Sequence, residues 1–193
     1  MRRRALLSAS VLSLAGLSGC LGDVRRQVSG RVTASHATAV MHPADEPWIR
    51  GGLSADSDRT FHAELFTEAP DDVYRVFTEA FPRRREQLDN DVRNDDYATG
   101  FSLLAEAKMP RGEAYSLVPV FGEAWTGWDA VSLPLETNPY DDDPTDGAGE
   151  SDELLCTMLA RYEAGASPSR ATVTVYEETG DEVIRELTAE PRF

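Results

Sequence analysis

The chain is poor in the side chains that carry most chemistry. Its 193 residues hold two cysteines, Cys20 and Cys156, and three histidines, His36, His42 and His62. There is no Gly-x-Ser-x-Gly, no His-Glu-x-x-His and no glycine-rich phosphate loop. Those absences exclude the nucleophile-elbow hydrolases, the zincin proteases and the P-loop nucleotide enzymes. Lysine is nearly missing too: Lys108 is the only one. No apolar run is long enough to span a bilayer, because the longest stretch, Ala5 to Gly19, falls short of the roughly 20 residues a spanning helix needs. Internal repeats and a second domain boundary are also lacking.

Acid is abundant. Thirty-four Asp and Glu face 19 Lys and Arg, a formal charge of −15. So negative a chain repels phosphates, which argues against nucleic acid as a partner. High charge can signal disorder. Here 41% of the residues are hydrophobic and fall in patterned runs, so the chain is expected to fold. At molar salt the Debye length shrinks to about 3 Å, and the self-repulsion of a dense acidic surface is largely screened. Arginine in place of lysine, with the acidic excess, resembles the proteins of haloarchaea.

The first twenty residues have a plan of their own. Arg2-Arg3-Arg4 precede the apolar run Ala5–Leu17, and the run exits through Leu17-Ser18-Gly19-Cys20. A positive flank, a short apolar core and a small-residue exit form an export signal. The exit resembles the lipobox of prokaryotic membrane lipoproteins. That resemblance implies cleavage before Cys20 and a lipid on its sulfur. Arg3-Arg4-Ala5-Leu6-Leu7 resembles the twin-arginine pattern of haloarchaeal lipoproteins, which implies export of a folded protein through Arg3 and Arg4. The general secretory route stays open, because only Met1 and Arg2 precede the pair. Residues 1–19 are thus read as a signal peptide and 20–27 as a lipidated tether, with 28–193 as one domain. Removing residues 1–19 takes away three arginines, which leaves 16 basic and 34 acidic residues and a charge of −18. The expected location is the outer side of the cell membrane, held by the lipid on Cys20.

Beyond the tether the pattern turns to β. Val28, Gly30, Val32 and Ala34 alternate with polar residues, as on a half-buried strand. Pro43 to Gly52 marks a loop. Further strands are expected at 60–66, 97–109, 115–121 and 131–135, with Pro110-Arg111-Gly112 as a turn, and 153–162 is apolar enough for either a buried strand or a helix. The segment 172–187 reads as a β-hairpin around Thr179-Gly180. Val73, Val76, Phe77, Ala80 and Phe81 fall at helical spacing between Pro70 and Pro82, which predicts one short helix. Arg83–Asp96 reads as a solvated charged loop, because its charges are mixed. About eight short strands with regular turn signals predict a mainly β fold, an antiparallel β-sandwich. An immunoglobulin-like sandwich is the first choice and a barrel the second.

Candidate sites are few. A blue-copper centre needs two histidines, a cysteine thiolate and an axial methionine. Cys156 and Met158 are present, but all three histidines precede the cysteine, so the family's ligand order fails. Cys156 reads as a buried inert thiol. His36 and His42 share strand parity and could meet across a bend, yet no further zinc ligands are spelled out. In the acidic loop, Asp142, Asp146, Gly147 and Glu153 fall at positions one, five, six and twelve of an EF-hand loop, but Pro144 takes the third. A looser calcium site would use Asp141, Asp142, Asp143 and Asp146. Chance clusters are expected in so acidic a chain, so no metal or other cofactor is assigned. Trp125, Trp128, Tyr115 and Phe121 could form a ligand platform, although core packing is the commoner fate of such residues.

These readings lead to a lipid-anchored extracellular protein, most simply a non-enzymatic binding domain that meets an envelope protein or a small ligand. The alternatives are a hydrolase with an unrecognised site and a metal- or solute-binding accessory protein. The discriminating feature is a concave pocket where a histidine meets carboxylates.

Overall fold

The computed structural model describes residues 30–71, 76–81, 86–140, 151–178 and 182–193. Among these described residues nine strands fall in chain order: β1 (Thr33–Pro43), β2 (Phe61–Phe66), β3 (Gly100–Pro110), β4 (Tyr115–Pro119), β5 (Ala124–Trp125), β6 (Ala130–Pro139), β7 (Glu153–Glu163), β8 (Arg170–Tyr176) and β9 (Val183–Ala189). A helix, α1 (Glu86–Arg93), precedes β3, and a 3₁₀ turn (Arg111–Glu113) follows it. The first sheet runs β1-β7-β3-β2, with every neighbour antiparallel. The second runs β4-β6-β8-β9, with β5 beside β6. The fold is therefore a β-sandwich and not a closed barrel. Its second sheet is mixed, because β6 and β8 run parallel.

The main core lies between the sheets. Period-two alternation sends Phe101, Leu103, Ala105, Ala107 and Met109 of β3 inward with Leu154, Cys156, Met158, Ala160 and Tyr162 of β7. They meet Val131, Leu133 and Leu135 of β6 and Val173 and Val175 of β8. Cys156 is fully buried among them, and burial pushes its thiol up to about 12, so it is inert. Pro134 sits inside β6 without disrupting the ladder. It lies where β4 has ended and β5 has not begun, so its missing N–H is not called for. Gly122, in the excursion that spans this gap, takes φ of 122°, a conformation that favours glycine.

A register shift between Ala34 and His36 changes which face of β1 looks inward. Val32 and Ala34 belong to the main core, as the alternation predicts, but beyond the shift it is Ala39 and Met41 that do. His36, Val40 and His42 are turned to the opposite, outer face. That face is not solvated, since the segment 44–60, residues 76–81 and α1 pack over it.

Two expectations change here. The helix predicted over residues 70–81 is not seen in its described part. Residues 76–81 instead make a turn, with Phe77 bridged to Ile49 and Val76 fully buried; residues 72–75 lie outside the described residues. The helix is found inside the stretch read as a solvated loop. Leu88 and Val92, four residues apart, present one apolar stripe that packs with Val40, Phe66, Leu104 and Leu159. Two well-spaced apolar residues outweigh the charges around them.

The hairpin of β8 and β9 pairs as expected, from Ala171–Ala189 to Tyr176–Val183; Thr179 and Gly180 lie outside the described residues.

Candidate functional site

Polar side chains gather on the outer face of the first sheet, beneath its covering segments. Three networks form there, each around one histidine or one arginine.

The deepest joins three strands' side chains. Glu106 of β3, Thr157 of β7 and His42 of β1 are all buried. Thr157 Oγ1 lies 3.2 Å from Glu106 Oε1 and 2.9 Å from His42 Nε2. The other carboxylate oxygen accepts the Leu53 N–H at 2.8 Å. His42 Nδ1 is 3.2 Å from the carbonyls of Pro43 and Glu46, so it carries the proton on that side. Its ring stacks on Trp48 at 3.9 Å.

Proton counting then links the three groups. The threonine hydroxyl has one hydrogen to give. If Glu106 is protonated it donates to Thr157, which donates to neutral His42. If His42 is charged it donates to Thr157, which donates to the carboxylate. Either state satisfies every atom and holds one proton. Burial pushes Glu106 up to about 7, against the pull of the Leu53 N–H, His62 and Thr157. Gly52 is what lets the covering loop close: a Cβ there would stand 2.1 Å from Glu106 Oε2.

A second network lies at the β2 edge. His62 Nε2 meets Glu64 Oε1 at 2.9 Å, and Arg192 Nη1 pairs with Glu64 Oε2. Burial pushes the Glu64 carboxyl up, but the hydrogen bonds from His62 and Arg192 outweigh it and hold it below its ordinary value. Lys108, the sole lysine, donates from Nζ to the carbonyls of Ala55 and Ser57 and so pins the covering loop to β3.

The third network borders a cleft. A cavity of about 340 Å³ opens between α1 and the sheet, lined by His36, Asn90, Asp91, Asp95, Ser102 and Arg161 among others. Arg161 is its hub. Its Nε pairs with Asp95 Oδ1 at 2.5 Å. Its Nη1 donates to the carbonyls of Phe101 and Tyr162, and its Nη2 to the Asp96 carbonyl and Thr99 Oγ1. All five N–H donors are used. Ser102 Oγ donates to the other Asp95 oxygen. Asp91 differs, since its Oδ2 is buried with no hydrogen-bond partner. Burial raises its carboxyl above the ordinary value; His36 pulls it down, and Asp95 pushes it further up. His36 is exposed and its Nε2 lies 3.1 Å from Thr38 Oγ1.

His36 and His42 do share a face, as parity predicts, but they do not meet. Six residues of one strand separate them, roughly 20 Å, and each belongs to a different network. Among the described residues no cluster of three or more His, Cys, Asp or Glu side chains is placed to hold a metal ion. Asp141, Asp142, Asp143 and Asp146 lie outside the described residues. Glu153, the remaining calcium candidate, is exposed at the start of β7.

The aromatic set departs from the expected core packing. Tyr115 and Trp125 do pack against the main core. Phe121 and Trp128 do not: they are 97% and 66% exposed, because both sit in the excursions on either side of β5 and not on a strand face.

Sequence reasoning missed Glu106, Thr157, Asp95 and Arg161. A signal for them exists. Leu104 of β3 and Leu155 and Leu159 of β7 fall on the same parity as Glu106 and Arg161, and apolar residues on a strand's polar parity mean that this face is covered.

A family model described as a domain of unknown function (DUF8130) matches residues 1–44, a span that ends just past β1. No curated protein matches the chain, and no solved structure does. Among the described residues no helix is long and apolar enough to cross a membrane.

Proposed function

We propose that the protein is a lipid-anchored, extracellular, non-enzymatic binding domain. The observation that carries this is the leader ending in Cys20, only ten residues before the described sandwich begins at Gly30. A lipid there would hold the sandwich against the membrane, facing outward, where it meets an envelope protein or a small polar ligand. The cleft does bring His36 together with Asp91 and Asp95, the feature set above as the mark of an enzyme, but the commitments of its other groups support binding over catalysis. Asp95 and Arg161 are committed to each other and to backbone, and Ser102 donates to Asp95 and has no histidine on it. A nucleophile with its base is not assembled from these groups.

The test is Cys20→Ser. The variant is expected to leave the membrane fraction or to stall before cleavage, and mass spectrometry of the wild-type membrane fraction should find a lipid on Cys20. One acyl chain binds only weakly, so a two-chain lipid is expected. An unmodified Cys20 would end the reading. Replacing Arg3 and Arg4 together by lysine separates the routes, since it blocks the twin-arginine path and leaves the general secretory path open.

The acidic surface belongs to the same proposal. With residues 1–19 removed, 34 acidic residues stand against 16 basic ones. Their repulsion is screened over about 3 Å at 1 M salt but over about 10 Å at 0.1 M. The compact state bears more of it than the expanded chain, so the melting temperature should fall as KCl is lowered at neutral pH. A melting temperature that holds or rises at low salt would remove the adaptation to strong salt.

A second reading, a solute-binding accessory protein, draws on the cleft. Asp91 Oδ2 is an acceptor with no partner beside the exposed ring of His36. It suits a small ligand that donates hydrogen bonds.

A further inference from the structure

We infer that Phe121 and Trp128 form a contact with the lipid surface, at the corner of the sandwich from which the tether leaves. The inference rests on the anchor proposed above and adds to it an orientation and a second point of attachment.

Placement comes first. Phe121 lies in the excursion between β4 and β5, and Trp128 in the turn between β5 and β6. The same excursion holds Glu123, whose Oε1 accepts the backbone N–H of Ala34 at 2.9 Å. Ala34 is the second residue of β1, so the excursion touches the point where the described chain begins. Trp128 lies at the same end of the sandwich: the Asp129 carbonyl of its neighbour accepts the Ser169 N–H at 2.8 Å, where the connection from β7, whose end pairs with the start of β1, enters β8. Ten residues separate Cys20 from Gly30, which at full extension reach about 35 Å. A lipid on Cys20 therefore keeps Gly30, four residues before Ala34, within about 35 Å of the bilayer.

Chemistry comes second. An acidic domain gains little from charge at a membrane, least of all in molar salt, where Coulomb terms fade within about 3 Å. Apolar contact does not depend on that range. Tryptophan suits the headgroup boundary, with an apolar body and one N–H for water or a headgroup. Val118 of the edge strand β4, three residues before Phe121, is exposed too. The lysine that commonly blunts such an edge is absent, since Lys108 is on β3.

Tryptophan fluorescence reads this directly. The chain has three tryptophans, of which Trp48 is buried, Trp125 half-buried and Trp128 exposed. Full-length lipidated protein is reconstituted into phosphatidylcholine vesicles, part of whose lipid is brominated near the top of the acyl chains, in molar KCl. Flotation is measured on the same samples. The expected result is co-flotation with quenching, most of which disappears in Trp128→Phe, and shielding of Trp128 from aqueous iodide when vesicles are present. Phe121→Asp should weaken the bromine quenching while the protein still floats. Co-flotation with the same bromine quenching in wild type and Trp128→Phe would overturn the contact and leave the anchor standing. Shielding from iodide without vesicles would mean that protein covers Trp128, and would overturn it too. Failure of the wild type to float would overturn the anchor and the contact together. Circular dichroism of both variants confirms that each is folded.

Discussion

Two regions of this molecule reverse the usual placement of polar and apolar groups. On the outer face of the first sheet, the carboxyl of Glu106 has no contact with water, and Arg161 has all its donors satisfied by protein. On the edge of the second sheet, Phe121 stands almost wholly exposed. The difference comes from what covers each place. The first sheet is sandwiched twice, by the second sheet inside and by the segment 44–60 and α1 outside. Its outer polar residues are dry, and each needs a partner. Among the described residues nothing covers Phe121 and little covers Trp128 in the excursions around β5, so folding buries little of either ring. Polar contacts in the first region should therefore hold the fold, while apolar residues in the second should not.

The largest test is Arg161→Met. It removes the partner of Asp95 and leaves the carbonyls of Phe101, Tyr162 and Asp96 without their donor. Breaking a mostly buried ion pair from one side costs about 3–5 kcal/mol. Urea unfolding should show a loss of that order, with the slope unchanged. A loss below about 1 kcal/mol would place Arg161 with ordinary surface pairs and dissolve the contrast.

Glu106→Gln gives the next effect, and its sign depends on pH. The carboxyl is raised to about 7 in the fold. Between its ordinary value of 4.5 and about 7 the folded protein holds a proton that the unfolded chain has released. Stability from this group is therefore present at low pH and declines as pH rises to about 7, by roughly 3 kcal/mol in all. Glutamine keeps the protonated pattern: its amide can donate to Thr157 while its oxygen accepts the Leu53 N–H. The variant should match wild type near pH 4 and exceed it near pH 8. Glu64 runs the other way, losing stability as pH falls, but it is common to both proteins and cancels in the difference. A difference that is flat with pH would mean that Glu106 titrates as an exposed carboxyl does.

How much of this could be read beforehand depends on where the deciding interaction lies. Alternation within one strand is local, and so β2, β3 and the β8–β9 hairpin are legible from residues such as Val173, Val175 and Leu187, whereas the continuous apolar run of β7 reads equally as strand or helix until its partners β1 and β3 are known. The helix was misplaced because Val73, Val76, Phe77, Ala80 and Phe81 are apolar at helical spacing. The described part of that segment instead serves as a lid, with Phe77 bridged to Ile49. Leu88 and Val92 are only two residues in a charged run, and their value lies in Leu104 and Leu159, which are distant in sequence. Glu106 and His42 were illegible as a pair for the same reason: Thr157 joins them only after β1, β7 and β3 align. The exposure of Phe121 depends on a gap between β4 and β5 that no composition reports.

The smallest expected effect is the other arm of the comparison. Phe121→Ser removes a large aromatic ring from a place where folding buries almost none of it. Hydrophobic stabilisation scales with area removed from water, about 25 cal/mol per Å², and here that area is close to zero. A surface change of this kind is usually worth within about 0.5 kcal/mol. The soluble stability of Phe121→Ser should thus equal that of wild type in a urea melt, although the same substitution in Phe101, stacked on Tyr162 inside the main core, would be severe. Equality separates a residue kept for the fold from one kept for contact with something else. A loss above about 1 kcal/mol would show that the excursion packs its aromatic ring on the sandwich in solution. The patch on this edge would then be part of the core, and the contrast between the two regions would be lost.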